Sequence, residues 1–239
     1  MIGLVAARPA ARLKLETSEP RTLNLEPRPI LKPDAICLEY FNMKKEFFDR
    51  LADTWEDQSV APETRKRVAE LAGTFGIQAG ARVLDVATGT GILLSYLLRA
   101  VGESGRVFAF DFSYKMLQQA KNKPFGTNLH CFQASAMEIP LSAGMCDTIV
   151  CFAAFPHFAD QRKALQEMAR VAKKGAPIYI VHLMSRDELL THHGTHSPVA
   201  GDTVPEAADM RRMCRSADLA DPHITDIPGL YLARALKKR

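Results

Sequence analysis

Nine residues at 83–91, Val-Leu-Asp-Val-Ala-Thr-Gly-Thr-Gly, set an apolar strand, an acid and a glycine-rich turn in immediate succession. A helix-like run, Ile-Leu-Leu-Ser-Tyr-Leu-Leu-Arg, follows at 92–99. The turn therefore stands where a strand hands over to a helix, the junction at which nucleotides are held. Gly89 and Gly91 carry no Cβ, so the backbone can take left-handed angles and a ligand can lie close to the main chain. Asp85 is placed to accept from a cationic amine or a hydroxyl. A second acid, Asp111, closes the next apolar run, Arg-Val-Phe-Ala-Phe-Asp at 106–111. It falls about twenty residues beyond the turn, where folds of this kind hold ribose hydroxyls.

Spacing separates the ligands that use such a turn. A dinucleotide fingerprint counted from Gly89 needs a third small residue where this chain has Leu94, which disfavours NAD. No Gly-Lys-Ser/Thr occurs anywhere, which disfavours a phosphate-cradling loop and ATP. A nucleoside without a pyrophosphate remains.

Over residues 40–236 the chain resembles the class I S-adenosylmethionine-dependent methyltransferases, most of all their ubiquinone and menaquinone branch. The stretch 83–91 is similar to the family's first motif, with Ala87 and Thr88 ahead of the glycines and Ala87 where many members have the first glycine. Asp111, Phe112 and Met116 resemble the ribose-binding strand end and its helix. Ser135, Ala136 and Met137 resemble the adenine loop, with Ser135 where the family usually has Asp. Residues 48–56, which include Trp55, resemble a lid helix whose aromatics close over the cofactor. The resemblance implies S-adenosylmethionine as cofactor. It also implies cofactor contacts from Asp85, Ala87, Thr88, Gly89, Gly91, Asp111, Phe112, Met116, Ser135, Ala136, Met137, Phe152 and Trp55.

Methyl transfer asks the protein mainly to hold an acceptor in line, at about 3–3.5 Å, and to exclude water. A general base is optional. His157, after the fourth strand, is the first candidate because an imidazole of ordinary pKa suits proton abstraction. Phe155, His157, His182, His192 and His193 are the expected substrate contacts, and Phe152, Phe155 and Phe158 favour a flat or apolar small molecule. Four of the seven histidines, His182, His192, His193 and His196, share one short segment. That segment reads as a solvated lid, as a substrate contact or as a metal site, and its spacing matches no standard zinc motif. A non-catalytic protein that keeps the pocket or carries a metal is the rival reading. Five cysteines form no paired motif, and Cys151 alone falls near the expected cleft.

These groups need a scaffold. Strands are expected at 82–86, 106–110, 129–133, 146–152 and 177–183, with helices at 92–100, 113–121 and 161–172. A helix near 205–216 and strands near 222–226 and 230–236, around Pro228 and Gly229, complete the chain. Short apolar strands alternating with amphipathic helices predict an α/β fold: a seven-stranded, mostly parallel Rossmann-like sheet, covered on both faces, with an antiparallel edge. Ahead of it, 43–52 and 62–72 read as helices, and 34–75 as a lid preceding the cofactor-binding domain at 76–239. Residues 1–33, with Pro9, Pro20, Pro27, Pro29 and Pro33 and no periodicity, read as an extended or disordered arm.

The length of 239 residues suffices for one core, and a charge of +4 with scattered basic residues gives no nucleic-acid stripe. Odd, unpaired cysteines and the lack of a long apolar run predict a soluble, cytoplasmic protein without a membrane span. Oligomeric state stays open.

Overall fold

The computed structural model describes residues 35–192 and 198–239. The proline-rich arm, His193 and His196 lie outside them. Three helices come first: α1 (Ala35–Leu51), α2 (Trp55–Ser59) and α3 (Pro62–Gly73), the last with Pro62 at its first position, where no intrahelical donor is needed. The alternating part follows as β1 (Arg82–Val86), α4 (Leu94–Val101), β2 (Arg106–Asp111), α5 (Tyr114–Lys121), β3 (Leu129–Gln133), β4 (Thr148–Phe152), α6 (Gln161–Val171) and β5 (Pro177–His182). The chain closes with α7 (Arg186–His192), α8 (Ala207–Ser216), β6 (Leu219–Ile227) and β7 (Leu230–Lys237).

The seven strands lie in the order β3-β2-β1-β4-β5-β7-β6. Strands β1 to β5 pair in parallel, while β7 is antiparallel to both β5 and β6. The reversed strand is thus one in from the edge, and β6 outside it again runs with the parallel set. Order reverses between β1 and β4, because the chain builds outward from β1 to β3 and then returns to start β4 on the other side. Loops leaving these two neighbours diverge to opposite faces, which opens a crevice at their carboxyl ends.

Period-two alternation distributes each strand between two cores. Leu84, Val86, Phe108, Phe110, Ile149 and Cys151 point to the face covered by α6 and α8. Val83, Val107, Ala109 and Val150 point to the face covered by α3 and α4. A third small cluster, Phe48, Ala52, Met116 and Val199 with Trp55 and Phe112, joins α1 and α2 to the start of α5.

Boundaries moved where turns interrupt the pattern. Helix α4 starts at Leu94 rather than at 92, because the glycine turn continues through Leu93. Strand β4 starts at Thr148, with Cys146 held only by a bridge to Ala172. Strand β6 extends beyond 222–226 to Leu219–Ile227; Pro222 and the left-handed Asp221 (φ 49°) sit in a bulge that hides its alternation.

Candidate functional site

A cavity of about 470 Å³ opens at the crevice between β1 and β4. Its wall includes Asp85, Ala87, Thr88 and Gly89 from the turn after β1, then Asp111, Phe112 and Met116 from the β2 end and α5. Ser135, Ala136 and Met137 line it after β3, Phe152 and His157 after β4, and His182 and His192 around α7. Trp55 closes it from α2. Sequence-distant positions therefore converge as expected.

Local chemistry fixes each group. Asp85 is 2% exposed and accepts a hydrogen bond from Thr88 Oγ1 at 2.6 Å. Burial pushes its carboxyl up to about 7, and the neighbouring charge of Asp111 adds to the rise. Asp111, 4% exposed, accepts from the backbone N–H groups of Gly89 and Ser113 at 2.8 Å each, so it shapes the turn as well as facing the cavity. Burial lifts it to about 6 against those bonds. Among the described residues, neither carboxylate forms an ion pair.

Backbone shape matters at three positions. Gly89 takes φ 55°, and no atom lies within 4 Å of where a Cβ would project, so its exposed backbone leaves room for a ligand. Ala87 (φ 54°) and Ala153 (φ 54°) carry the chain through left-handed kinks after β1 and β4, a conformation that costs an L-residue about 1–2 kcal/mol. Both alanines line the cavity.

The amino-terminal helices are clasped over this rim by side chains. Ser113 caps α5 by accepting from Met116 N–H at 3.1 Å and donates to Asp49 of α1 at 2.5 Å. Gln119 donates to Asp53 at 2.7 Å. Glu56 of α2 accepts from Arg65, Lys123 and Thr90; against partial burial, these bonds hold its carboxyl down to about 2. Phe48 of α1 is an aromatic hub, with ring centroids 5.9 Å from Trp55, 5.9 Å from Phe112 and 5.2 Å from His157.

Opposite the carboxylates, His157 stands in a buried charge network. Its Nδ1 lies 2.7 Å from Asp202 Oδ2. Lys44 Nζ donates to both oxygens of Asp202 at 2.7 Å and to the His157 carbonyl at 3.2 Å. Lys44 is only 3% exposed. Sequence reasoning missed Lys44 and Asp202, which lie 158 positions apart with no motif linking them.

Two expectations need correction. Phe155 does not line the cavity: the 3₁₀ turn Phe155–His157 turns it into the core, 1% exposed and edge-on to Phe158 at 5.6 Å, and Phe152 and Phe158 form the wall instead. Gly91 is not on the wall either. A Cβ there would stand 2.7 Å from Leu94 Cδ1 and 3.2 Å from Ala120 Cβ, so this glycine lets the turn pack down onto α4 and α5. Cys151 lies wholly within the core beneath the rim, where burial pushes its thiol far up. Among the described residues, no three His, Cys, Asp or Glu side chains are arranged to hold a metal ion.

An adenosyl sulfonium fits these walls. Two buried acids with no ion-pair partner among the described residues could receive an ammonium and hydroxyls, the Gly89 backbone is open, and Phe112, Met116, Ala136 and Met137 give an apolar cleft that could take a base. A methyltransferase-domain family matches residues 83–175. The chain is 34% identical over 110 residues to the ubiquinone/menaquinone biosynthesis C-methyltransferase of Hahella chejuensis, covering 44% of each chain. It is 30% identical over 165 residues to the protein of that name from Vibrio vulnificus, covering 65% of this chain and 64% of the relative. These alignments span less than two thirds of either relative's length. A solved SAM-dependent methyltransferase from Aquifex aeolicus superposes with a TM-score of 0.60 at 26% identity, covering 81% of this chain and 98% of that one. In strand order, in pocket and in these likenesses, the chain is similar to the class I S-adenosylmethionine-dependent methyltransferases.

Proposed function

We propose that this protein methylates a small, flat, largely apolar acceptor bearing an ionisable hydroxyl or an acidic ring position, with His157 as the general base. S-adenosylmethionine, when bound, supplies a methyl group made electrophilic by its sulfonium. Asp85 and Asp111 receive the cofactor's polar groups, while Phe112, Met116, Ser135, Ala136 and Met137 receive its base. On the other side Phe152, Phe158, Leu183 and Met184 give an apolar wall, punctuated by the imidazoles of His157, His182 and His192. No acidic side chain lines that half among the described residues, so a cationic acceptor gains nothing there. With Nδ1 held against Asp202, proton abstraction falls to Nε2 of His157.

The carrying observation is this imidazole on the cavity wall, backed by a buried carboxylate. Residues 34–75 act as the lid that excludes water, a role supported by the clasp of Asp49, Asp53 and Glu56 on α5 and the glycine turn. Ring-carbon methylation of a quinol is the specific form favoured by the names of the relatives. Buried, unpaired thiols fit a cytoplasmic setting, and no helix among the described residues is long and apolar enough to cross a membrane.

Purified protein with methyl-labelled cofactor and a panel of demethylated quinols, phenols and amines provides the test. Label should enter quinols or phenols and spare amines, with S-adenosylhomocysteine formed in equal amount. Transfer to amines alone, or to none of the panel with cofactor retained, overturns the reading.

A further inference from the structure

The three members of the His157 network come from three parts of the fold: Lys44 from α1, Asp202 from the segment between α7 and α8, and His157 from the turn after β4. Such a network is costly to build. A buried ammonium and a buried carboxylate lose their hydration, and a purely structural role is filled as well by apolar side chains. The arrangement has a consequence for the ring. Against its burial, the bonds from His157 and Lys44 hold the Asp202 carboxyl below its ordinary value. An ionised carboxylate only accepts hydrogen bonds, so the nitrogen 2.7 Å away must carry the hydrogen.

The geometry points to Asp202 and Lys44 as positioning residues for methyl transfer: Asp202 fixes His157 with its hydrogen on Nδ1 and its basic lone pair on Nε2. Lys44, delivered by the lid helix, neutralises Asp202 so that the ring is not held permanently as imidazolium. The two residues therefore pull the basicity of His157 in opposite directions. A carboxylate left alone beside an imidazole favours its charged form, and the ammonium that grips both carboxylate oxygens cancels much of that pull. Because Lys44 belongs to α1, the base is set to its working state only when the lid is seated. Proton transfer is thereby coupled to exclusion of water.

Other titratable groups share the cavity with His157. His182 from β5 and His192 from α7 line the same half, Arg67 of α3 lies at the wall, and Asp85 and Asp111 are at the cofactor end. Lys44 and Asp202 are bonded to each other and to His157, so substitutions there act on the ring directly.

This inference rests on His157 being the base, and its test reads the ring directly, with no acceptor required. The full chain is labelled with ¹⁵N-histidine, and long-range ¹H–¹⁵N spectra are followed across pH, with His157→Gln assigning the signal. In the wild type, neutral His157 should carry its hydrogen on Nδ1. In Asp202→Asn that preference should vanish and the titration midpoint should fall by about one unit; in Lys44→Met the midpoint should rise by about one unit. Lys44→Arg should restore it. Equilibrium dialysis with S-adenosylmethionine checks that each variant keeps the pocket. Hydrogen on Nε2 in the wild type, or midpoints that move the same way in both variants, overturns the inference. Should a variant fail to fold, the wild-type tautomer decides alone. A failed acceptor panel with Nδ1 protonated would sink the proposed chemistry and leave the positioning intact.

Discussion

On the β1–β2 side of the cavity, Asp85 and Asp111 are buried carboxyls with no ion-pair partner among the described residues, and burial lifts them to about 7 and about 6. On the β4–α1 side, Asp202 is 7% exposed, yet it is held below its ordinary value because the bonds from His157 and Lys44 outweigh burial. The outcomes are opposite because Asp202 is less deeply desolvated than the other two and because the protein supplies its cation. Where it does not, the acid is open to a counter-charge carried by a ligand, as proposed for the cofactor. Where it does, the acid is an internal fixture that orients another group. One cavity is divided into a half that waits for charge and a half that has already neutralised its own.

The largest expected effect breaks the second half. Lys44→Met removes the cation of the buried Lys44–Asp202 pair, and removing one member of such a pair typically costs about 3–5 kcal/mol. Urea unfolding at pH 8 checks this. A loss under about 1 kcal/mol would mean that water reaches Asp202 and that the contrast between the halves is false.

Asp85→Asn is the matching change in the first half, and it should behave in the opposite way. The amide keeps an acceptor for Thr88 Oγ1 while removing an unpaired buried charge, so the empty protein should be at least as stable as the wild type at pH 8. Cofactor binding should weaken about ten- to a hundredfold, the scale of one hydrogen bond to a charged group. Calorimetric titration with S-adenosylmethionine reads the affinity. Unchanged affinity would remove Asp85 from the receptor half.

The two halves should also titrate in opposite senses. Asp85 and Asp111 are raised from 3.8, so the stability they contribute to the empty protein is fully present below about 4 and is lost as pH rises through about 6 to 7. Asp202 is lowered, so its contribution is present above 3.8 and is lost only as pH falls through its depressed folded value. A cationic ligand binds the ionised form of Asp85. Affinity for S-adenosylmethionine should therefore strengthen from pH 5 to about 7, by at most about tenfold per unit, and then level off. A flat profile over that window would show that no proton leaves Asp85 on binding.

The first half was legible in the sequence and the second largely was not, for a physical reason. Asp85, Gly89 and Asp111 reach the cavity wall from within a few residues of a strand end, so local spacing encodes their position. Strands β1, β2 and β5 were likewise readable, because buried parallel strands are near-continuous apolar runs. Lys44 and Asp202 meet only through the packing of α1 against the segment after α7, and nothing near either residue distinguishes it from a surface charge. Phe155 misled because an aromatic spacing of three positions, at 152, 155 and 158, does not reveal that a 3₁₀ turn buries the middle ring. Gly91 misled differently, since the same sequence pattern serves ligand approach at Gly89 and close helix packing at Gly91.

The smallest expected effect asks whether the halves share anything. Both strand ends kink through a left-handed alanine, Ala87 beside the carboxylates and Ala153 beside His157. Replacing either with glycine removes a left-handed cost of about 1–2 kcal/mol but adds about 0.5–1 kcal/mol of unfolded-chain entropy. Each variant should therefore gain about 1 kcal/mol or less in urea unfolding, and valine at either position should lose stability because branching at Cβ aggravates the clash. Equal responses would mean that the crevice is shaped by one backbone device used twice, leaving charge alone to distinguish its halves. A gain at Ala87 with a loss at Ala153 would instead show that the kink after β4 needs its methyl group for packing, and that the acceptor side is built differently down to its backbone.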